Sequence, residues 1–305
     1  MTPLIVGTRG SRLALIQTEE ALALIRAKHP AQAFDIKTIR TGGDKAPDVP
    51  LASLGRGVFV KEIEDALLRK EIDLAVHSLK DLPPVTPPCL AIAAITQRID
   101  PRDVLVSKEN VTLDKLPPGA RIGTSSPRRT AQLRRLRPDL QALPIRGNVD
   151  TRVNKAFGPD YDGVILAAAG LIRLGLQSKI SQYFSAEEFI PDPGQGALAI
   201  EVRQDDNHTL ALLKTIDHSP TRRAVTAERA FLEKLGMGCS SPSAAYARVS
   251  GDSIIMYALL ASPDSAQSFT TKARGNPDNP RELAAEALQR LIEKGAAKLF
   301  SPEKQ

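Results

Sequence analysis

Tryptophan is missing from this chain, and aromatic residues supply only 4% of it. Proteins that hold single-stranded nucleic acid stack bases on aromatic rings, so no nucleic-acid partner is expected. Cysteine is nearly absent. Cys89 and Cys239 stand alone and far apart, which excludes a disulfide framework and the paired spacing of a zinc site. That usage fits a reducing compartment, and a cytoplasmic location is expected. Histidine occurs at 29, 77, 208 and 218 without clustering, so no metal site is expected. No apolar run reaches the roughly 18 residues that a membrane helix needs, and no membrane partner is expected. The opening MTPLIVGTRGSRLAL lacks a charged leader followed by an apolar core, so no export signal is read. A strong charge imbalance is lacking too: 41 Lys and Arg meet 35 Asp and Glu, for a net +6. The excess sits in local arginine pairs suited to small anions, not in a basic tract.

What is present is alternation. LIVGT (4–8), FDIKTIRT (34–41), IDLAVHS and LAIAAIT (90–96) read as strands. RLALIQTEEALALIRAK (12–28) and VFVKEIEDALLRK (58–70) read as amphipathic helices between them. Such alternation predicts an α/β fold with a parallel or mixed sheet covered on both faces. A second unit of the same kind opens at DPRDVLVS (100–107). It continues with strands at RIGTS (121–125), LQALPIRG (140–147) and YDGVILAAAG (161–170), and helices over 126–138 and NVDTRVNKAF. LAIEVR, after the loop IPDPGQGA (190–197), reads as a strand returning to the first unit. Beyond Ser219 come a helix ending at Gly236, three β runs, and a closing helix from Pro280 through GAAKLF, a small α+β domain. No internal repeat is legible. The domains are expected at 1–98 with a return segment 197–215, at 99–196, and at 216–305.

Two strand–turn–helix junctions share one chemistry. Gly10-Ser11 opens the first helix, and Thr124-Ser125-Ser126 opens the helix of Arg128 and Arg129. Helix N-termini favour anions, and arginine forks bind carboxylates in pairs. Read blandly, Ser11 and Ser126 are N-caps contributing ~1 kcal/mol each. Arg9, Arg128, Arg129, Arg146, Arg152 and Arg173 all fall at or just past strand ends or at helix starts, positions that in an α/β sheet open onto one crevice. Singly, each reads as a surface arginine. Together they suit a ligand with several carboxylates. AVHSLKDLPP (75–84) ends a buried strand on a base, a hydroxyl, a cation and a carboxylate. Asp81 among cations stays ionised and suits stabilisation of positive charge. Cys89, in PPCLAIAA, reads as a small buried hydrophobe. Cys239 sits in a glycine- and serine-rich turn, which favours attachment.

TRGSRLAL, GRGVFVKEIE, DLAVHSLKDLP, DPRDVLVS, IGTSSPRR, IRGNVDTR, LAAAGLIRLG, PGQGALAIE and GCSSPSAAYA, in this order, resemble the hydroxymethylbilane synthase family, also called porphobilinogen deaminases. The resemblance implies two domains similar to periplasmic binding proteins with a cleft between them, and a third small domain. It implies a dipyrromethane cofactor joined by a thioether to Cys239, and Asp81 as the catalytic carboxylate facing pyrrole nitrogens. The six arginines match carboxylate-binding positions. Ser11, Ser78, Lys80, Thr124, Ser125 and Ser126 match polar cofactor contacts; Arg56, Phe59 and Gln195 match further cofactor or substrate positions. The implied reaction deaminates porphobilinogen, through an azafulvenium cation, and adds four units head to tail before water releases the linear tetrapyrrole. A monomer acting on this small substrate is expected. The sequence departs from the family pattern at Arg56, where lysine is usual, at Pro127, where leucine is usual, and in the polar run Ser240–Ala244. The rival readings are a non-catalytic two-lobed anion-binding module and a basic nucleic-acid-binding regulator; the lack of an export signal and the loop cysteine speak against the first.

Overall fold

In a computed structural model, residues 2–45, 57, 60–236 and 242–299 are described. The chain forms two compact units, Met1–Ile99 with Gly196–Arg222, and Asp100–Gln195 with Arg223–Gln305.

The first unit is built on a five-stranded sheet ordered β2-β1-β3-β10-β4. Its strands are β1 (Leu4–Arg9), β2 (Phe34–Ile39), β3 (Leu74–Ser78), β4 (Leu90–Ile95) and β10 (Leu198–Arg203). β1 runs parallel to β2 and β3, whereas β10 runs antiparallel to β3 and β4. LAIEVR, as β10, thus pairs with β3 and β4 in this sheet. One face of the sheet packs Val6, Leu74, Val76, Leu198, Ile200 and Val202 against α1 (Arg12–Lys28) and α7 (Asn207–Lys214). The other face carries Ala75 and meets α3 (Lys61–Leu68) through Ile63, Ala66 and Leu67. A short helical turn, α2, occupies Gly42–Lys45.

The second unit contains another five-stranded sheet, ordered β7-β6-β8-β5-β9. Its strands are β5 (Asp103–Ser107), β6 (Arg121–Gly123), β7 (Gln141–Leu143), β8 (Gly163–Ala167) and β9 (Gln182–Tyr183). β6 is parallel to β7 and β8, and β5 is antiparallel to β8 and β9. The two sheets thus repeat one topology, with β6, β7, β8, β5 and β9 standing where β1, β2, β3, β10 and β4 stand. No sequence repeat announces this, because the shared property is strand order and not residue identity. The sheet's helices are α4 (Pro127–Leu136), α5 (Val149–Ala156) and α6 (Ala168–Arg173).

The same unit holds an antiparallel sheet of β11 (Ser243–Ser250), β12 (Ser253–Ala261) and β13 (Ser268–Gly275). α8 (Ser219–Leu235) and α9 (Pro280–Glu293) cover it with Ala224, Ala227, Phe231, Leu283, Ala287 and Leu291. Its other face places Ala244, Tyr257, Leu259 and Ala261 against Ala131 and Ile190.

Three local expectations change. The buried strand expected over 161–170 is strand only to Ala167, and Ala168–Gly170 open α6. Consecutive alanines favour helix once the sheet pairing ends. The closing helix breaks at Gly295, whose φ of +104° suits only glycine readily, and a 3₁₀ turn follows at Ala296–Leu299. Cys89 is exposed, not buried, with φ +69° in the turn before β4.

Candidate functional site

In the first unit the polar candidates gather where β1 and β3 end. The parallel register Val6↔Leu74 and Gly7↔Ala75 brings Arg9, the last residue of β1, level with the end of β3. Ser11 caps α1, its Oγ accepting from the Ala14 N–H at 3.2 Å. Ser78 closes β3, and its Oγ accepts from Gln17 Nε2 at 2.7 Å, tying α1 to that strand end. Lys80 and Asp81 follow in the 3₁₀ turn Leu79–Asp81. The turn forms because the strand ladder stops at Ser78 and two prolines, Pro83 and Pro84, lie just beyond. Proline lacks the N–H that would continue pairing. Arg56, Phe59 and Cys239 lie outside the described residues.

In the second unit the candidates sit at the equivalent ends of β6, β7 and β8. Thr124 is buried, and its Oγ1 accepts from the Ser126 N–H at 3.2 Å. Ser125 Oγ donates to Ile145 O at 2.8 Å and accepts from Ile145 N at 2.9 Å, clasping the turn after β6 to the strand exit before Arg146. Ser126 is the N-cap of α4 and Pro127 its first residue, an arrangement that proline's fixed φ favours.

Arg128 and Arg129 are expected to face an anionic ligand, and the structure gives both a buried protein carboxylate. Arg128 Nη1 donates to Asp103 at 2.6 Å and to Ile190 O at 2.8 Å. Arg129 donates to Asp103 through Nε and Nη2, and to Ile165 O through Nη1. Gln195 Nε2 donates to the same Asp103 at 3.0 Å and to Pro101 O at 2.7 Å. Burial pushes the Asp103 carboxyl up, but the two guanidiniums outweigh it and hold the group well below the usual carboxylate range. Arg128 Nε, also buried, has no partner among the described residues. Asp103 escapes a sequence reading because its partners are 25 and 26 positions away. Its one signal is a carboxylate opening an apolar strand.

Arg146 and Arg152 are set differently. Gly147 between them has φ +110°, a left-handed conformation for which glycine is the default. Its carbonyl accepts from Arg152 Nε at 2.7 Å. Burial first, then the neighbouring charges of Arg129 and Arg146, push the Arg152 guanidinium down to about 10. Arg146 Nη2 is buried with no hydrogen-bond partner among the described residues. Arg146 and Arg152 thus stand beside Arg129, whose charge Asp103 already balances. Arg173 ends α6, half-buried.

A carboxylate missed by sequence reading is Glu228. Fully buried on α8, it accepts from Gly194 N and Ala247 N, each at 2.7 Å. It joins the glycine loop before β10 to the three-stranded sheet.

The fold and these residues define an α/β protein with arginines gathered at its strand ends and helix starts. The family model "Porphobilinogen deaminase, dipyromethane cofactor binding domain" matches residues 4–211, and that of the porphobilinogen deaminase C-terminal domain matches residues 222–293. The porphobilinogen deaminase of Brevibacillus brevis is 48% identical over 298 residues, covering 97% of this chain and 96% of the relative. That of Syntrophus aciditrophicus is 45% identical over 291 residues, covering 95% of each. Among solved structures the methionine binding protein MetQ is similar at TM-score 0.46 and 12% identity, over 70% of this chain and 89% of that one. The chain belongs to the porphobilinogen deaminase family, transferases of tetrapyrrole biosynthesis that carry a dipyrromethane cofactor.

The cofactor's chemistry fits the side chains described. A dipyrromethane brings several carboxylates, and Arg146, beside Arg152, keeps a buried Nη2 donor without an acceptor among the described residues.

Proposed function

We propose that this chain deaminates porphobilinogen and joins four molecules head to tail, with Asp81 as the carboxylate at the reacting pyrroles and Cys239 as the thioether anchor. The observation that carries the reading is the unpartnered, buried Nη2 of Arg146 beside the depressed guanidinium of Arg152. Positive charge without a protein counter-ion calls for ligand carboxylates.

When bound, the dipyrromethane supplies the free pyrrole α-carbon to which each substrate is joined. Arg146 and Arg152 would hold its carboxylates, with Thr124, Ser125 and Ser126 lining the turn alongside and Arg173 extending the cationic surface along α6. Arg128 and Arg129, fixed on Asp103, shape that surface as much as they bind. Arg9, Ser11, Arg56, Phe59, Ser78, Lys80 and Gln195 complete the reading of the site.

At the first unit, Asp81 follows Lys80 in the turn after β3. The substrate's C–N bond breaks with its electrons leaving on ammonia, and positive charge spreads over the pyrrole ring. Asp81 accepts a hydrogen bond from the ring N–H and stabilises that charge, usually a large catalytic term. The methylene carbon left cationic would bond the free pyrrole α-carbon, and that carbon would lose its proton to solvent, restoring aromaticity. The spans 99–196 and 216–305 are read as two domains; each has apolar clusters of its own, and a further cluster of Ala131 and Ile190 with Ala244, Tyr257, Leu259 and Ala261 joins them. The reading places the enzyme in the cytoplasm as a monomer; cysteine scarcity supports the location.

Intact-mass measurement tests the anchor. The purified protein should be heavier by two condensed pyrrole units, mapping to Cys239. Cys239→Ser should lose the adduct, and Cys89→Ser should keep it. An active protein with no adduct would overturn the reading.

A further inference from the structure

The first unit holds three titratable groups that the reaction above leaves unused: His77 and Glu201, both buried, and the half-buried Glu64. In the β3–β10 ladder, His77 faces Ala199 and Glu201 faces Ala75. Residues two apart on a strand share a face, so His77 and Glu201 are diagonal neighbours on one side, close enough for long side chains to meet. His77 Nε2 stands 3.1 Å from Glu201 Oε2, with the side chains 4% and 1% exposed. This is the face that carries Ala75, which α3 covers with Ile63, Ala66 and Leu67. Glu64, between those residues on α3, adds a second carboxylate. Burial, and next the charge of Glu201, push the Glu64 carboxyl up to about 7, while His77 opposes the shift and Asp65 adds to it.

Geometry makes the same demand independently. Glu64 Oε1 and Glu201 Oε1 are both buried and have no hydrogen-bond partner among the described residues. A buried carboxylate oxygen without a donor is costly. One imidazolium balances one carboxylate, and the other carboxyl is neutral only when it holds a proton.

Other charges around α3 do not relieve this. Arg203 of β10 gives Nη1 to Leu67 O and Ile72 O, and Nη2 to Asp73 and Asp206. Asp73, before β3, also accepts from Ile5 N. β1 bears Arg9 at its end, and α3 itself bears Lys61, Glu62 and Asp65. No donor among these reaches Glu64 Oε1.

We propose that Glu64, His77 and Glu201 act as one proton-sharing unit that fastens α3 to the strand end leading into Asp81 and so positions that end for the reaction. The proposal rests on the reading of Asp81 given above. His77 is a positioning residue here: it meets Glu201 and stands just before Ser78 and the turn bearing Asp81. Its consequence has a defined sign. A carboxyl whose folded pKa is raised keeps its proton in the folded state after the unfolded chain has released it. Stability is therefore full below the ordinary value of 4.5 and declines as pH rises to about 7.

The test is a carbon-13 carboxyl NMR titration of the cofactor-loaded protein from about pH 5 to about pH 9. Glu64, assigned by through-bond correlation in the wild type, should titrate near 7. Glu201→Gln should lower that midpoint by removing a negative neighbour, and His77→Gln should raise it. Single-turnover ammonia release should fall through the same midpoint in the wild type, and Glu64→Gln should flatten that fall. A wild-type Glu64 titrating below about 5, or a midpoint unmoved by both substitutions, overturns proton sharing. A Glu64→Gln variant that keeps the wild-type pH–rate profile overturns the positioning role. Asp81→Asn leaves the Glu64 titration in place, so a fast Asp81→Asn enzyme would refute the catalytic reading separately.

Discussion

Asp103 receives both Arg128, at 2.6 Å, and Arg129, at 2.7 Å, on a carboxylate that no solvent reaches. Two buried cations on one buried anion make removal of the anion severe. Asp103→Asn should cost on the order of 3–5 kcal/mol, read as a lower denaturant midpoint. The pH dependence follows from the depressed carboxyl. Because its folded value lies below the ordinary 3.8, its contribution is complete above that value and is lost as pH falls further. Wild-type stability should thus drop on acidification below about 3.8, and Asp103→Asn should show a shallower drop. Equal acid slopes would contradict the pairing.

Stability and cofactor loading should separate between arginines. Arg129 bonds only to protein groups, so Arg129→Ala should destabilise the second unit strongly. Arg146 Nη2 has no partner among the described residues, so Arg146→Ala should leave the melting temperature unchanged or raised. It should nonetheless leave the intact mass short of the two-pyrrole adduct. Normal loading in Arg146→Ala would remove it from the site.

Gly147 offers a backbone test. At φ +110° an added Cβ would lie 2.9 Å from Thr151 Cβ and 2.7 Å from its Cγ2. Gly147→Ala should therefore strain the turn that sets Arg146 and Arg152, costing about 1–3 kcal/mol. Loading should fall along with stability, checked by mass and by calorimetry on the same sample.

Asp81→Asn keeps the shape of the side chain and removes its charge, whereas Asp81→Glu keeps the charge and shifts it by one methylene. If charge stabilisation dominates, Asn should slow ammonia release a hundredfold or more, or about 3 kcal/mol, and Glu should slow it far less. Single-turnover rates on folded, loaded variants give the comparison. Equal rates for Asn and wild type would leave the turn after β3 without a chemical role.

Much of this arrangement was legible in the sequence. The apolar runs at 4–8, 74–78 and 198–203 appear as paired strands, and Ser11 and Ser126 as helix caps, because strand pattern and capping are local properties. What was hidden is long-range. Asp103 looks like any polar strand start until α4 folds over it. The partnership of His77 with Glu201 spans 124 positions. The small strand β9, only two residues long, has no periodicity to read. Gly295 lay inside a run otherwise suited to helix, and its conformation, not its identity alone, ends α9.

The placement of β10 bears on synthesis. This strand sits between β3 and β4, yet it is encoded beyond the whole second five-stranded sheet. On the ribosome, the emerging residues 1–99 therefore have a gap between β3 and the edge strand β4 and leave Leu74, Val76 and Ala94 incompletely covered. The second sheet has no such wait, since β5 precedes β6 to β9 in the chain. Between the two five-stranded sheets, the order of completion runs against the order of translation: the sheet begun first is closed second, after residue 203 has left the exit tunnel.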